Sequence, residues 1–159
     1  MKIIYFTKTF AAVVVTAMLF SISACKKNEV PVDLTKKTTV TLSGAQEVPA
    51  VTSTGTGSGQ IVFNPTTKAI TYNFSWQLGS ATATVTSMHF HGADDGSDSK
   101  SSAVALGISG FPTTSMGNLG GQTIALTDAQ VSQLLAGKWY LNIHSSTVPG
   151  GELRGNIKF

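Results

Sequence analysis

The feature that most constrains this chain is a run of strict alternation. Ile70, Tyr72, Phe74 and Trp76 are apolar, while Thr71, Asn73, Ser75 and Gln77 between them are polar. Side chains on an extended chain change face with a period of two, so this segment has one face for a core and one for water. Just before it, Ile61-Val62-Phe63 leads into the proline-containing turn Asn64-Pro65-Thr66-Thr67-Lys68, and residues 59–77 are therefore expected to form a β-hairpin. Near the end of the chain Leu153, Ile157 and Phe159 alternate with Glu152, Arg154, Asn156 and Lys158, which reads as another one-sided strand. Further strands are expected over residues 39–43, 82–91, 103–108 and 139–144. The glycine-rich Gly55-Thr56-Gly57-Ser58-Gly59 reads as a flexible turn, and it has neither the lysine nor the following helix of a phosphate-binding loop.

One segment carries a helical period instead. Thr127 and Gln130 have capping-box spacing, Val131, Leu134 and Leu135 share a helical face, and Gly137 is placed to end the turn, so a short helix is expected near residues 128–136. Many short strands with Gly, Ser and Thr connections and a single helix imply an all-β fold. It is expected to be an antiparallel sandwich or barrel, immunoglobulin-like or superoxide-dismutase-like in kind.

The N-terminus has a different character. Lys2 and Lys8 precede an apolar run from Phe10 to Phe20, which is too short to span a bilayer and has the length of a signal-peptide core. It ends in Ile22-Ser23-Ala24-Cys25, which resembles the bacterial lipoprotein signal. Residues 1–24 are expected to be removed. Cys25, the only cysteine, would then carry the acyl chains, palmitate among them, and residues 25–38 would form a tether to a domain over 39–159. Such a protein belongs in the bacterial cell envelope, at the outer membrane or cell surface rather than the inner membrane, with the bilayer as its partner. Without Lys2 and Lys8, nine basic residues face eight acidic ones, a net charge of about +1. No basic cluster is interleaved with aromatics, so a nucleic-acid partner is not expected.

The chain has three histidines, in Met88-His89-Phe90-His91-Gly92 and Asn142-Ile143-His144. His89 and His91 share one strand face, with Met88 and Phe90 on the other. On the later strand Trp139, Leu141 and Ile143 make the apolar side and leave Tyr140, Asn142 and His144 opposite. All three imidazoles thus face away from the core. They are either solvated surface histidines or, if the two strands are neighbours, a three-nitrogen site with an open position that suits copper or zinc.

These motifs carry a family resemblance. Leu42-Ser43-Gly44-Ala45-Gln46-Glu47-Val48-Pro49, His89-Phe90-His91-Gly92, and Tyr140-Leu141-Asn142-Ile143-His144 with Pro149-Gly150-Gly151-Glu152-Leu153-Arg154-Gly155 occur in an order that resembles the CHRD domain, named after chordin, over about residues 39–159. The resemblance implies an extracytoplasmic β-domain. It does not bring the growth-factor antagonism of chordin, which is associated with cysteine-rich modules absent here. A second similarity is to Cu/Zn superoxide dismutase, in which His89, His91 and His144 would match copper-type ligands. The fourth copper ligand, the bridging histidine and the paired cysteines have no counterpart in this chain.

Other chemistry has less support. Asp94, Asp95 and Asp98 lack the glycine spacing and terminal glutamate of an EF-hand and read as a solvated loop, with Asp94 and Asp95 candidate second-layer partners of the histidines. Glu152 and Arg154, also candidates for that role, otherwise read as an exposed cross-strand charge pattern. Nothing in the sequence brings Glu47 close to Glu152 as an acid/base pair, and no serine sits in a Gly-x-Ser-x-Gly elbow. No catalytic residue is therefore assigned. Two functions remain: a non-catalytic binding or structural module for an envelope or extracellular ligand, and a metal protein using the histidines.

Overall fold

The computed structural model describes residues 32–92 and 99–159. Cys25 and the acidic residues Asp94, Asp95 and Asp98 lie outside the described residues. Residues 33–159 make one compact unit. It contains strands β1 (Lys36–Ser43), β2 (Thr56–Asn64), β3 (Ala69–Gln77), β4 (Val85–Gly92), β5 (Val104–Ile108) and β6 (Met116–Gln122). Helix α1 (Asp128–Leu135) and strands β7 (Trp139–Ser145) and β8 (Leu153–Ile157) complete it.

All pairings are antiparallel, in the order β5-β4-β7-β8-β1-β2-β3-β6. β8 and β1 touch in register only at Ser43 and Arg154, so the sheet turns a corner there and folds into two facing four-stranded halves. The fold is the expected all-β sandwich. Phe90 of β4 meets Tyr72 of β3 edge-on at 5.5 Å, although several strands separate them in the order. The inward rows of Ile61 and Phe63, Ile70 to Trp76, Met88 and Phe90, and Trp139 to Ile143 fill the space between the halves.

The hairpin forms as its alternation dictates, with Thr71, Asn73, Ser75 and Gln77 exposed and Ile70, Tyr72, Phe74 and Trp76 buried. Asn64 Oδ1 accepts from the amides of Thr66 and Thr67 and closes the turn. The helix starts on the anticipated capping box of Thr127 and Gln130, ends before Gly137 at φ 71°, and buries Leu134.

The structure departs from the sequence reading at three places. Gly55–Gly59 is no flexible turn: from Thr56 onward it is strand β2, paired on both sides. Its glycines face inward where the sheets pack tightly, and a Cβ on Gly59 would collide with Phe74. Strand β6 carried no alternation signal, because two of its inward positions are Gly117 and Gly121, whose missing side chains make room for the rings of Trp76 and Tyr72. Strand β1 begins at Lys36, inside the stretch read as tether, because Lys36 to Thr38 pair with Ile61 to Phe63.

Candidate metal centre

β4 and β7 are hydrogen-bonded neighbours, with His89 opposite Asn142, His91 opposite Tyr140 and His144 opposite Ser87. This pairing joins the two histidine motifs. The ring centroids of His89 and His144 are 5.2 Å apart, those of His89 and His91 5.6 Å, and one nitrogen from each of the three rings lies within 4.8 Å of the others. β4 has a register shift at Phe90/His91 against β5 and another between Val85 and Ser87 against β7. Such bulges twist a strand and re-aim its side chains beside a site.

The imidazole tautomers follow from their partners. His91 Nδ1 is 2.9 Å from the carbonyl of Ser102, and His144 Nδ1 is 2.8 Å from the carbonyl of Pro149. A carbonyl only accepts, so each Nδ1 bears the proton and each Nε2 offers a lone pair. Those two Nε2 atoms and Nδ1 of His89 are buried without a hydrogen-bond partner. Three buried, unpartnered imidazole nitrogens on rings this close are a costly arrangement for bare side chains and a suitable one for a metal ion. With metal–nitrogen bonds of about 2.0–2.1 Å, an ion would draw the rings slightly inward. Burial, followed by the neighbouring His144, pushes the His89 pKa down from 6.5. Burial also dominates at His91, where the charges of His89, His144 and Arg154 add to it and the Ser102 bond opposes it, with a net lowering. Both rings are thereby kept in the neutral form that a metal requires.

The histidines face away from the main core, as their phase implies, yet His91 is buried and His89 and His144 are only partly exposed. His91 is only 8 % exposed, and Tyr140 and Asn142 on the same face are buried. The cover comes from residues 44–51 and 99–102. Tyr140 Oη accepts from the amide of Ser102, Arg154 donates to the carbonyl of Lys100, Ser101 donates to the carbonyl of Val48, and Gln46 accepts from the amide of Asn156. His91 stacks on Tyr140 at 4.7 Å and 3°, and the Arg154 guanidinium lies 3.6 Å from the centroid of the same ring.

Glu152 and Arg154 are therefore not an exposed charge pattern, since each is 1 % exposed. Arg154 reaches the histidines through Tyr140. Glu152 makes its contacts elsewhere: its Oε1 accepts from Ser53 Oγ at 2.8 Å and from the Gly79 amide at 2.6 Å, which ties the loops of residues 53 and 79 to the start of β8. Burial raises its pKa, but bonds from Ser145, Gly79, Ser53 and Thr147 outweigh this and hold the carboxyl below its ordinary value.

A cleft of about 280 Å³ opens beside His91 and His144 and contains Glu47. Sequence reasoning missed this placement, because Glu47 sits in a loop with no periodicity to orient it. Asn142 Nδ2 donates to Glu47 Oε1 at 2.5 Å. Gly151, at φ 125°, permits this approach, since a Cβ there would stand 2.8 Å from that oxygen. Burial raises the Glu47 pKa against the lowering effects of Asn142 and Arg154.

The CHRD domain family matches residues 38–157. This chain belongs to the CHRD domain family. The match takes in every described strand but the first two residues of β1, so the CHRD domain here includes both histidine strands, Glu47 and the loops that cover them. No curated protein and no solved structure matches the chain.

Proposed function

We propose that this protein is a cell-envelope lipoprotein whose CHRD domain holds one transition-metal ion, copper or zinc, on His89, His91 and His144. The carrying observation is the convergence of three imidazole nitrogens within 4.8 Å, two of them on rings oriented by backbone carbonyls. Three nitrogen donors with an open position suit either metal. With no fourth histidine in the chain, the donor set falls short of a dismutase copper site, and holding or handing on the ion comes before catalysis. Acylation at Cys25 would keep the domain at a bilayer.

The test is calorimetric titration of the purified protein with Cu(II), Cu(I) and Zn(II), alongside His89→Ala and His144→Ala. One-to-one binding lost in both variants is the expected result. Absent binding, or binding indifferent to both changes, would overturn the metal reading and leave a partner-binding envelope module. Release of a Cys25→Ala variant from membranes tests the anchor separately.

A further inference from the structure

The metal site has an open side, and its direction is legible. His91 and His144 line the cleft while His89 does not, so an ion held by all three has His89 behind it and the cleft in front. A ligand in the cleft therefore approaches the position that the protein leaves free.

The remaining walls restrict what that ligand is. Val48, Pro49, Val51 and Val148 present apolar surface suited to the body of a ring. Of the polar residues that also line it, Ser101, Ser102, Tyr140, Asn142 and Glu47, only Glu47 is acidic; it is 9 % exposed, and with Oε1 engaged by Asn142 its remaining acceptor is Oε2. A carboxyl in that place accepts a hydrogen bond and disfavours a second anion. Asn142, which donates to Glu47, lies two residues before His144 on the same face of β7, so Glu47 borders the cleft on the side of the metal ligands. A five-membered ring with a lone-pair nitrogen on one side and an N–H on the other offers one bond to the metal and one to Glu47. The volume of about 280 Å³ is small for a ligand pocket and favours a compact guest.

We infer that the cleft receives a small imidazole-type ligand, which completes the metal's coordination through one ring nitrogen and donates its other ring N–H to Glu47. This rests on the metal reading of the three histidines. Coordination uses the ligand's lone pair and breaks no bond. Glu47 acts as the specificity-determining group: it selects for an azole that carries a second, protonated nitrogen.

The experiment uses the full-length protein loaded with Cu(II). Imidazole and 1-methylimidazole, which lacks the N–H, are titrated while the copper spectrum is followed. Imidazole is expected to bind about tenfold tighter or more, the range of a hydrogen bond to a charged group. In Glu47→Gln, whose amide nitrogen would face the cleft in place of an acceptor oxygen, the preference should disappear while copper binding persists. Val148→Phe, which adds bulk to the cleft lining and leaves Glu47 intact, should weaken both ligands. Equal affinity of the wild type for the two azoles, or a preference unchanged in Glu47→Gln, would overturn this inference and leave the metal site standing. A protein that takes up no copper would overturn both.

Discussion

The two halves of the sandwich treat their outward faces in opposite ways. On β1, β2, β3 and β6 the outward rows are mostly Thr, Ser, Asn and Gln, with Lys37, Val62, Met116 and Gly120 among them, and lie largely open to water. On β4, β7 and β8 the outward row holds His91, Tyr140, Asn142 and Arg154, and these are buried beneath loops. Both halves share the inward apolar rows that make the fold. Only the second adds a small polar interior of its own, in which charge, aromatic stacking and hydrogen bonds replace the solvent. A strand's period reports which residues share a face, and it does not report whether that face is bare.

The contrast breaks most readily at Arg154. Replacing it by alanine removes a buried cation, its bond to Lys100 and its stacking on Tyr140, and should lower stability by about 3 kcal/mol in urea denaturation. Glu152→Ala abandons the hydroxyl of Ser53 and the amide of Gly79 and should cost about 2 kcal/mol by the same measurement. Tyr140→Phe keeps the ring stack and loses the bond from Ser102, for about 1 kcal/mol. At the other extreme, Thr71→Ala or Ser75→Ala on the open half should stay within about 0.5 kcal/mol.

Acidity sharpens the same comparison. Because His89 and His91 have pKa values below 6.5 when folded, the unfolded chain takes up protons first as pH falls through 6.5. Stability of the metal-free protein should therefore be fully present above that pH and decline below it. Glu152, held below 4.5, adds to the loss at lower pH, whereas protonation of Glu47, raised above 4.5, works in the opposite direction. Denaturant midpoints measured across the range should show the decline, and His91→Ala should reduce it.

Much of the molecule was legible beforehand. The alternation from Ile70 to Gln77, the turn at Asn64 and the capping box at Thr127 each encode local geometry, and each appears where it was expected. The phase of His89, His91 and His144 gave the correct faces, but their meeting depends on β4 lying beside β7, a pairing between segments far apart in sequence. β6 was silent because glycine has no hydropathy to alternate. The burial of Arg154 and Glu152 was hidden for a different reason: covering loops have no period, so nothing in the strand itself announces them.

The origin of the three ligands on two non-consecutive strands also sets an order of events. Before β4 and β7 pair, the chain offers an ion only the His89-x-His91 fragment, with His144 free to be anywhere. On the proposed metal reading, loading would thus be a late step, after the sandwich has closed, and the ion that matters would be the one available in the compartment where folding finishes. On the same reading, a chain delivered across a membrane unfolded would arrive empty and would take up an ion only at its destination.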